Sequence, residues 1–312
     1  MMLKYNSDKC SISIFIKNIF PCFWFLIIIN TFAFPQTSHS TLEYSFTSRS
    51  LSIYRGACAV SSGYLDVNPA TLEISSPIGN FTFIRYPADI YAHNLSFSFP
   101  MKSKIIAFTL STIDFGQILD GETGYTFSAR EFVGRIGYKM TVLNSFSVGG
   151  AINLSHNRID HYSSTAVSIN MGGRTQLSSG RGGMAVVMEN IGKIIQGHNK
   201  TKESIPAGYR VGGFYHPKHL PVVLSVDYIC RSNNDQMVVG VLEFYPTQYF
   251  TFRLGSTNRE DNRIYNDYKK NMISGLSLGF GVHFLKYTFD FGSQNLGSAG
   301  WVTGITIGYT AF

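Results

Sequence analysis

The chain has 312 residues, with 26 Lys and Arg against 19 Asp and Glu and a formal net charge of +7. Charged residues make up 14%, aromatics another 14%, and glycines number 30; ordinary soluble domains carry roughly 25% charged residues, so the composition argues against a conventional soluble surface. The basic excess is modest and suits anionic lipid headgroups, without the concentrated basic stripe of a nucleic-acid binder.

Lys4, Lys9 and Lys17 precede an apolar stretch over 21–34. It is too short to span a bilayer comfortably and has the length of a signal-peptide core. Thr31-Phe32-Ala33 is a small-x-small site, so residues 1–33 are expected to be a cleaved export signal with the cut between 33 and 40. The alternative is an uncleaved anchor. Beyond this stretch no 18-residue apolar run occurs, which excludes a second spanning helix. Cys58 and Cys230 remain after cleavage; export permits a disulfide, but sequence separation does not decide whether they pair. Residues 34–78 form the next unit. From 41 to 78 they lack alternation and are rich in Ser, Gly and Pro, so this segment is expected inside a lumen or across its periplasmic mouth.

From 79 to 312 the chain alternates with period two, the signature of strands with one apolar face. The predicted strands are 79–86, 90–99, 103–115, 125–139, 144–157, 164–172, 183–190, 207–216, 221–231, 236–246, 249–257, 273–284, 286–291 and 302–312. One face carries Leu95/Phe97/Phe99, Val222/Leu224/Val226/Tyr228, Phe250/Phe252/Leu254 or Ile305/Ile307/Tyr309. The other carries Gly, Ser, Thr and Asn where a soluble sheet would carry Lys, Glu and Arg. That pattern defines an all-β transmembrane antiparallel barrel of about 14 strands, apolar outside and polar within. Closure also removes the open sheet edges that hydrocarbon does not tolerate.

With both barrel ends periplasmic, connections after even strands are expected to be tight and those after odd strands long. The long ones are 116–124, 191–206, 258–272 and 292–301; 87–89 and 173–182 depart from the rule. Two outer loops collect basic residues, Lys193, His198, Lys200 and Lys202 in one, Arg259, Arg263, Lys269 and Lys270 in the other. They are candidate contacts for lipopolysaccharide phosphates or a partner protein. No catalytic, cofactor or metal site is expected. His156, Asp160, His161 and Ser163 crowd one strand-to-loop corner rather than supplying nucleophile, base and orienting acid from separate elements. His216-Pro-Lys-His219 reads as a hairpin turn, not a rigid metal platform. The glycines of Gly279-Phe-Gly281 and Gly180-Arg-Gly-Gly183 lack the Lys-Ser/Thr and helix of a phosphate loop. The terminal Phe312 resembles an outer-membrane assembly signal.

Several blocks together resemble the PorV/PorQ family, which is related to the FadL fatty-acid transporters. They are 55–70, ending in the turn Asn68-Pro69-Ala70, then 149–164, Glu189-Asn-Ile-Gly192, 240–246 with Phe252-Arg-Leu-Gly255, and 274–281. The stretches 120–129 and 258–263 look more like PorQ. Ser61-Ser62-Gly63 departs from the usual double glycine. The resemblance implies a non-enzymatic outer-membrane component of type IX secretion or of surface attachment of secreted proteins, with a secretion-system protein as partner. The alternative is a FadL-like channel for hydrophobic solutes.

Overall fold

In the computed structural model, residues 39–65, 67–197, 204–232, 235–258 and 274–311 are described. The expected signal segment and Phe312 lie outside them. Among the described residues there are fourteen strands: β1 (Ile78–Arg85), β2 (Tyr91–Met101), β3 (Lys104–Leu119), β4 (Thr126–Leu143), β5 (Phe146–Ile159), β6 (Tyr162–Gln176), β7 (Gly182–Gln196), β8 (Gly208–Tyr215), β9 (Val222–Arg231), β10 (Gln236–Thr247), β11 (Phe250–Thr257), β12 (Leu276–Phe284), β13 (Tyr287–Asn295) and β14 (Trp301–Thr310). Each runs antiparallel to its neighbours, and β1 pairs with both β2 and β14, closing the barrel.

The alternation of side chains becomes an alternation of burial. On β11, Phe250, Phe252 and Leu254 are exposed while Thr251, Arg253 and Thr257 are buried. On β1, Phe81 and Phe83 face out and Asn80, Thr82 and Ile84 face in. An exposed aromatic band is costly in water and favourable in lipid, so the outer surface is that of a membrane barrel. Cross-strand ring pairs such as Phe280–Phe291, at 5.5 Å between centroids, add to the cohesion of the band. No helix among the described residues is long and apolar enough to cross a membrane.

The inner face departs from the sequence expectation. It is not limited to small and neutral residues: Glu131, Arg135, Lys139, Arg174, Glu189, Arg210, Asp227, Glu243, Arg253 and Asp290 all point inward and are buried. They are tolerated because they pair with one another or grip the segment that fills the lumen.

Ile78 lies opposite Thr310, so both ends of the barrel meet at one rim. The connections at that rim are 102–103, 144–145, 177–181, 216–221, 248–249 and 285–286; those at the other are 86–90, 120–125, 160–161, 197–207, 232–235, 258–275 and 296–300. Short periplasmic turns and longer external loops put the shared rim at the periplasm. Several expected loops shrink because strands run past the apolar band, which needs only about 9–11 residues per strand. The corner predicted at 158–163 is a two-residue turn, Asp160-His161, with Asp160 at φ 52°. Strands β3 to β7 therefore rise beyond their neighbours at the outer end. Lys193, expected in a loop, sits instead on this extension of β7, paired with Val167 of β6 and exposed.

Candidate functional site

Residues 39–77 occupy the barrel interior. His39 bonds Ser155 of β5 and Ser164 of β6, both 2.9 Å, near the outer end. The segment then descends to Ile78 at the periplasmic rim. It contains one short helix, α1 (Ser48–Ser52), capped by the Thr47 hydroxyl accepting from Ser50 N–H at 3.1 Å. A 3₁₀ turn at Pro69–Thr71 follows Asn68, whose side chain accepts from Ala70 N–H at 2.9 Å. Asn68 also donates to Cys58 O at 2.8 Å, tying two stretches of the plug together. The Asn-Pro-Ala motif is thus a structural turn, seated where Gly149 and Gly172 leave room for it: a Cβ on Gly149 would lie 2.4 Å from Pro69 C.

Barrel side chains hold the plug largely by its carbonyls. Lys139 donates to Leu72 O at 2.6 Å, Arg174 to Ala59 O at 2.7 Å, Arg210 to Arg55 O at 2.5 Å, Ser147 to Ala70 O at 2.8 Å and Ser277 to Ser52 O at 3.1 Å. Two ionic networks back these grips. Arg210 pairs with Glu189 at 3.1 Å and Asp227 at 3.4 Å, and Asp227 accepts from Cys58 N–H at 2.9 Å. Arg49 of the plug pairs with Glu243 at 2.8 Å, Arg253 bridges Glu243 and Asp290 at 3.4 and 2.6 Å, and Tyr64 of the plug donates to Asp290 at 2.9 Å. Thr41 donates to Glu131, which also accepts from Asn157 at 2.7 Å.

Above the plug, at the outer end, lies a cavity of about 660 Å³. Leu51, Ile113, Phe115, Met237, Leu296 and Val302 give it apolar walls, roofed by the connections 86–90 and 296–300. Charge reaches it from Glu43 and Arg55 of the plug and from Arg231 of β9, which pairs with Glu43 at 2.6 Å; Arg55 is the less satisfied cation. Its Nη1 is buried with no hydrogen-bond partner, and burial pulls the guanidinium down to about 10, opposed by nearby Glu189. Arg55 itself holds φ 54°, a left-handed conformation that costs a non-glycine residue energy. Tyr86 at the rim donates to Ser45 O at 3.3 Å, and burial raises its phenol above the ordinary value.

The sequence candidates are scattered rather than gathered. Lys200, Lys202, Arg259, Arg263, Lys269, Lys270 and His198 lie outside the described residues. His156 and Ser163 face opposite ways from the inward Ser155 and Ser164, and His161 only approaches Asp160, at 3.5 Å, on an exposed turn. Glu189-Asn-Ile-Gly192 contains a bulge at Asn190, φ 55°, where the β6–β7 register shifts and β7–β8 pairing ends at Glu189 and Gly208. There the Asn190 N–H donates to Asn170 Oδ1 at 2.7 Å and its side-chain amide to Pro206 O at 3.1 Å. The lumen charges were the missed signal: in a chain this poor in charge, Glu131, Arg135 and Lys139 recur at the inward phase of one strand.

A closed fourteen-strand antiparallel barrel with a plugged lumen and an outer apolar cavity defines the FadL-like outer-membrane barrel fold. Among solved structures, the chain is similar to the CymD monoaromatic hydrocarbon channel at 12% identity, covering 86% of this chain and 98% of that one, with a TM-score of 0.61. The toluene transporter TodX of Pseudomonas putida matches at 10% identity over 89% and 98%, TM-score 0.56. A FadL homologue of Pseudomonas aeruginosa matches at 10% over 86% and 98%, TM-score 0.55. No protein-family model matches the sequence, and no curated protein does.

Proposed function

We propose that this chain is a non-enzymatic outer-membrane channel for hydrophobic solutes, exported by a cleaved N-terminal signal. The observation that carries the proposal is the 660 Å³ apolar cavity at the outer end of the lumen, a volume in the range of small-molecule sites. The similar structures support it, being a monoaromatic hydrocarbon channel and a toluene transporter. Arg55, with a donor left over, offers a solute a polar contact beside the Glu43–Arg231 pair. The test is uptake of toluene and of decanoate by proteoliposomes. The native chain is expected to exceed protein-free vesicles, and Val302→Trp or Ile113→Trp, which fill the cavity, to abolish the excess. Uptake at the protein-free rate overturns the proposal.

A second function, a PorQ-like scaffold for type IX secretion or surface attachment, is favoured by the sequence blocks and by the firmly gripped plug. In that role Lys193 and the basic residues Lys200, Lys202, Arg259, Arg263, Lys269 and Lys270 dock lipopolysaccharide or a secretion-system partner. Co-purification from outer membranes separates the two: a stoichiometric partner lost on neutralising these residues supports the scaffold.

A further inference from the structure

The plug leaves a second cavity at the periplasmic rim, about 270 Å³, between the turns at 102–103 and 144–145 and the plug residues Glu73 and Ile74. We propose that it is an oxyanion site, taking a phosphate or carboxylate group between Lys139 of β4 and Arg174 of β6.

Strand register brings the two cations together. Lys139 lies opposite Gly149 of β5, and Ser147 of β5 lies opposite Arg174. The two cations are therefore one strand apart on the inner face, with only glycine and serine between them. Adjacent strands are about 4.8 Å apart, so long side chains from β4 and β6 converge on one small volume. Both are more than nine-tenths buried, at 7% and 8% exposure.

Four arginines of the lumen meet carboxylates: Arg49 meets Glu243, Arg210 meets Glu189 and Asp227, Arg231 meets Glu43 and Asp235, Arg253 meets Glu243 and Asp290. Among the described residues, Lys139 and Arg174 have no carboxylate within ion-pair distance; Glu73 acts on both only from farther away. Each spends one donor on a plug carbonyl, Leu72 O and Ala59 O, and Arg174 also lies over the Phe214 ring at 5.6 Å. An ammonium has three donors and a guanidinium five, so most of their capacity opens onto the cavity. Lys102, Ser103, Ser145 and Gln176 line the same space, and Glu73, exposed on the plug, is its one carboxylate. One carboxylate faces three cations in this cavity, Lys102, Lys139 and Arg174, and burying cations with no paired counter-charge is expensive. A tetrahedral or planar oxyanion supplies the charge and the acceptors together, and planar guanidinium suits it. The space is too small for a whole lipid, so the ligand is a free anion or the head of an amphiphile whose tail stays outside.

The test is calorimetric titration of the purified full chain in a neutral maltoside detergent at fixed ionic strength, first with sodium phosphate, then with decyl phosphate. Saturable one-to-one binding is expected, weakened at least about tenfold in Lys139→Gln and in Arg174→Gln through loss of a charge-assisted contact. Among the described residues, Lys102 makes no hydrogen bond or ion pair to the plug, so Lys102→Glu is expected to leave the plug seated and to weaken binding several-fold. Equal affinity for both probes assigns the site to a free anion, tighter binding of decyl phosphate to an amphiphile head, and either supports the site. No saturable heat with either probe, or a Lys102→Glu chain that binds as the native one does, overturns it.

Discussion

Gly292→Ala is a small change with a large expected effect on the plug. Gly292 lies on β13 with α1 directly above it, and a Cβ there would sit 1.9 Å from Ser48 O. The obstructing atom is backbone, so no rotamer change relieves it. Ordinary contact begins at 3.4 Å, and 3.4 less 1.9 is a displacement of 1.5 Å for α1. A shift of that size breaks Ser48 N–H to Thr306 Oγ1 at 3.1 Å, Thr306 Oγ1 to Ser48 Oγ at 3.0 Å and Ser277 Oγ to Ser52 O at 3.1 Å. Overpacking costs about 1–3 kcal/mol and each lost hydrogen bond about 0.5–1.5. The seated plug should therefore lose about 3–5 kcal/mol, which raises the unseated population by at least about a hundredfold. Cys58, buried in the same plug at 1% exposure, reports on that population. The maleimide labelling rate at Cys58, assigned by peptide mass, should rise in proportion while the barrel keeps its heat-modifiable mobility. Gly240→Ala is the control, since a Cβ there meets nothing within 4 Å. Equal labelling of the two variants, both with intact barrels, refutes close packing of α1 on β13.

Arg210→Met strands Glu189 and Asp227 in the lumen without their cation and should cost about 3–5 kcal/mol; urea titration in vesicles reads it, and adding Glu189→Gln with Asp227→Asn should recover most of the loss. The Cys58 thiol is pushed well above its ordinary 9.0 by burial and by Asp227. The folded plug therefore keeps a neutral thiol that the unfolded chain ionises, so its contribution is complete below 9.0 and declines as pH rises from there toward the folded value. Cys58→Ser should remove that part of the alkaline destabilisation. Asp120, held below the usual carboxylate range by the Thr123 hydroxyl and the Glu122 N–H, predicts that Asp120→Ala loosens only the 120–125 turn, seen as faster amide exchange there.

The barrel was legible because lipid imposes a rule on every second residue. Phe250, Phe252 and Leu254, or Ile305, Ile307 and Tyr309, need no knowledge of their neighbours to be assigned a face. Strand ends were less so: above the apolar band the rule lapses, and the outer parts of β5 and β6 look like a loop corner because polar residues then stand on both faces. The Asn68-Pro69-Ala70 turn could be recognised from an N-cap residue followed by proline at the first helical position. What it packs against could not, because that partner is a pair of glycines on β5 and β6. The two cavities were equally hidden. Their walls come from residues as distant as Leu51 and Val302, or Glu73 and Arg174, which no local pattern links.

How a solute would pass a plug gripped this way, in the channel proposed above, follows from where the grips are. A five-residue helix has no stability of its own, so α1 is ordered by the lumen. Removing residues 48–72 breaks the carbonyl contacts of Lys139, Arg174, Arg210, Ser147 and Ser277 together with the Arg49–Glu243 pair. At about 1 kcal/mol per bond, and more for the charged ones, that is a large cost. The stretch 39–46 is held by fewer bonds: His39 to Ser155 and Ser164, Thr41 to Glu131, the Glu43–Arg231 ion pair at 2.6 Å, Arg135 to Leu42 O at 3.4 Å, Tyr86 to Ser45 O at 3.3 Å, and the packing of Leu42 on Val133 and Ala166. Opening should therefore be local to the outer stretch, beside the cavity, with the lower plug in place. Two cross-links test this. Ser48→Cys with Thr306→Cys, whose native hydroxyls are 3.0 Å apart, should leave solute uptake near native. Leu42→Cys with Val133→Cys, joining residues of one packed cluster, should suppress uptake until reductant is added. If the first pair blocks and the second does not, the lower plug is the part that moves.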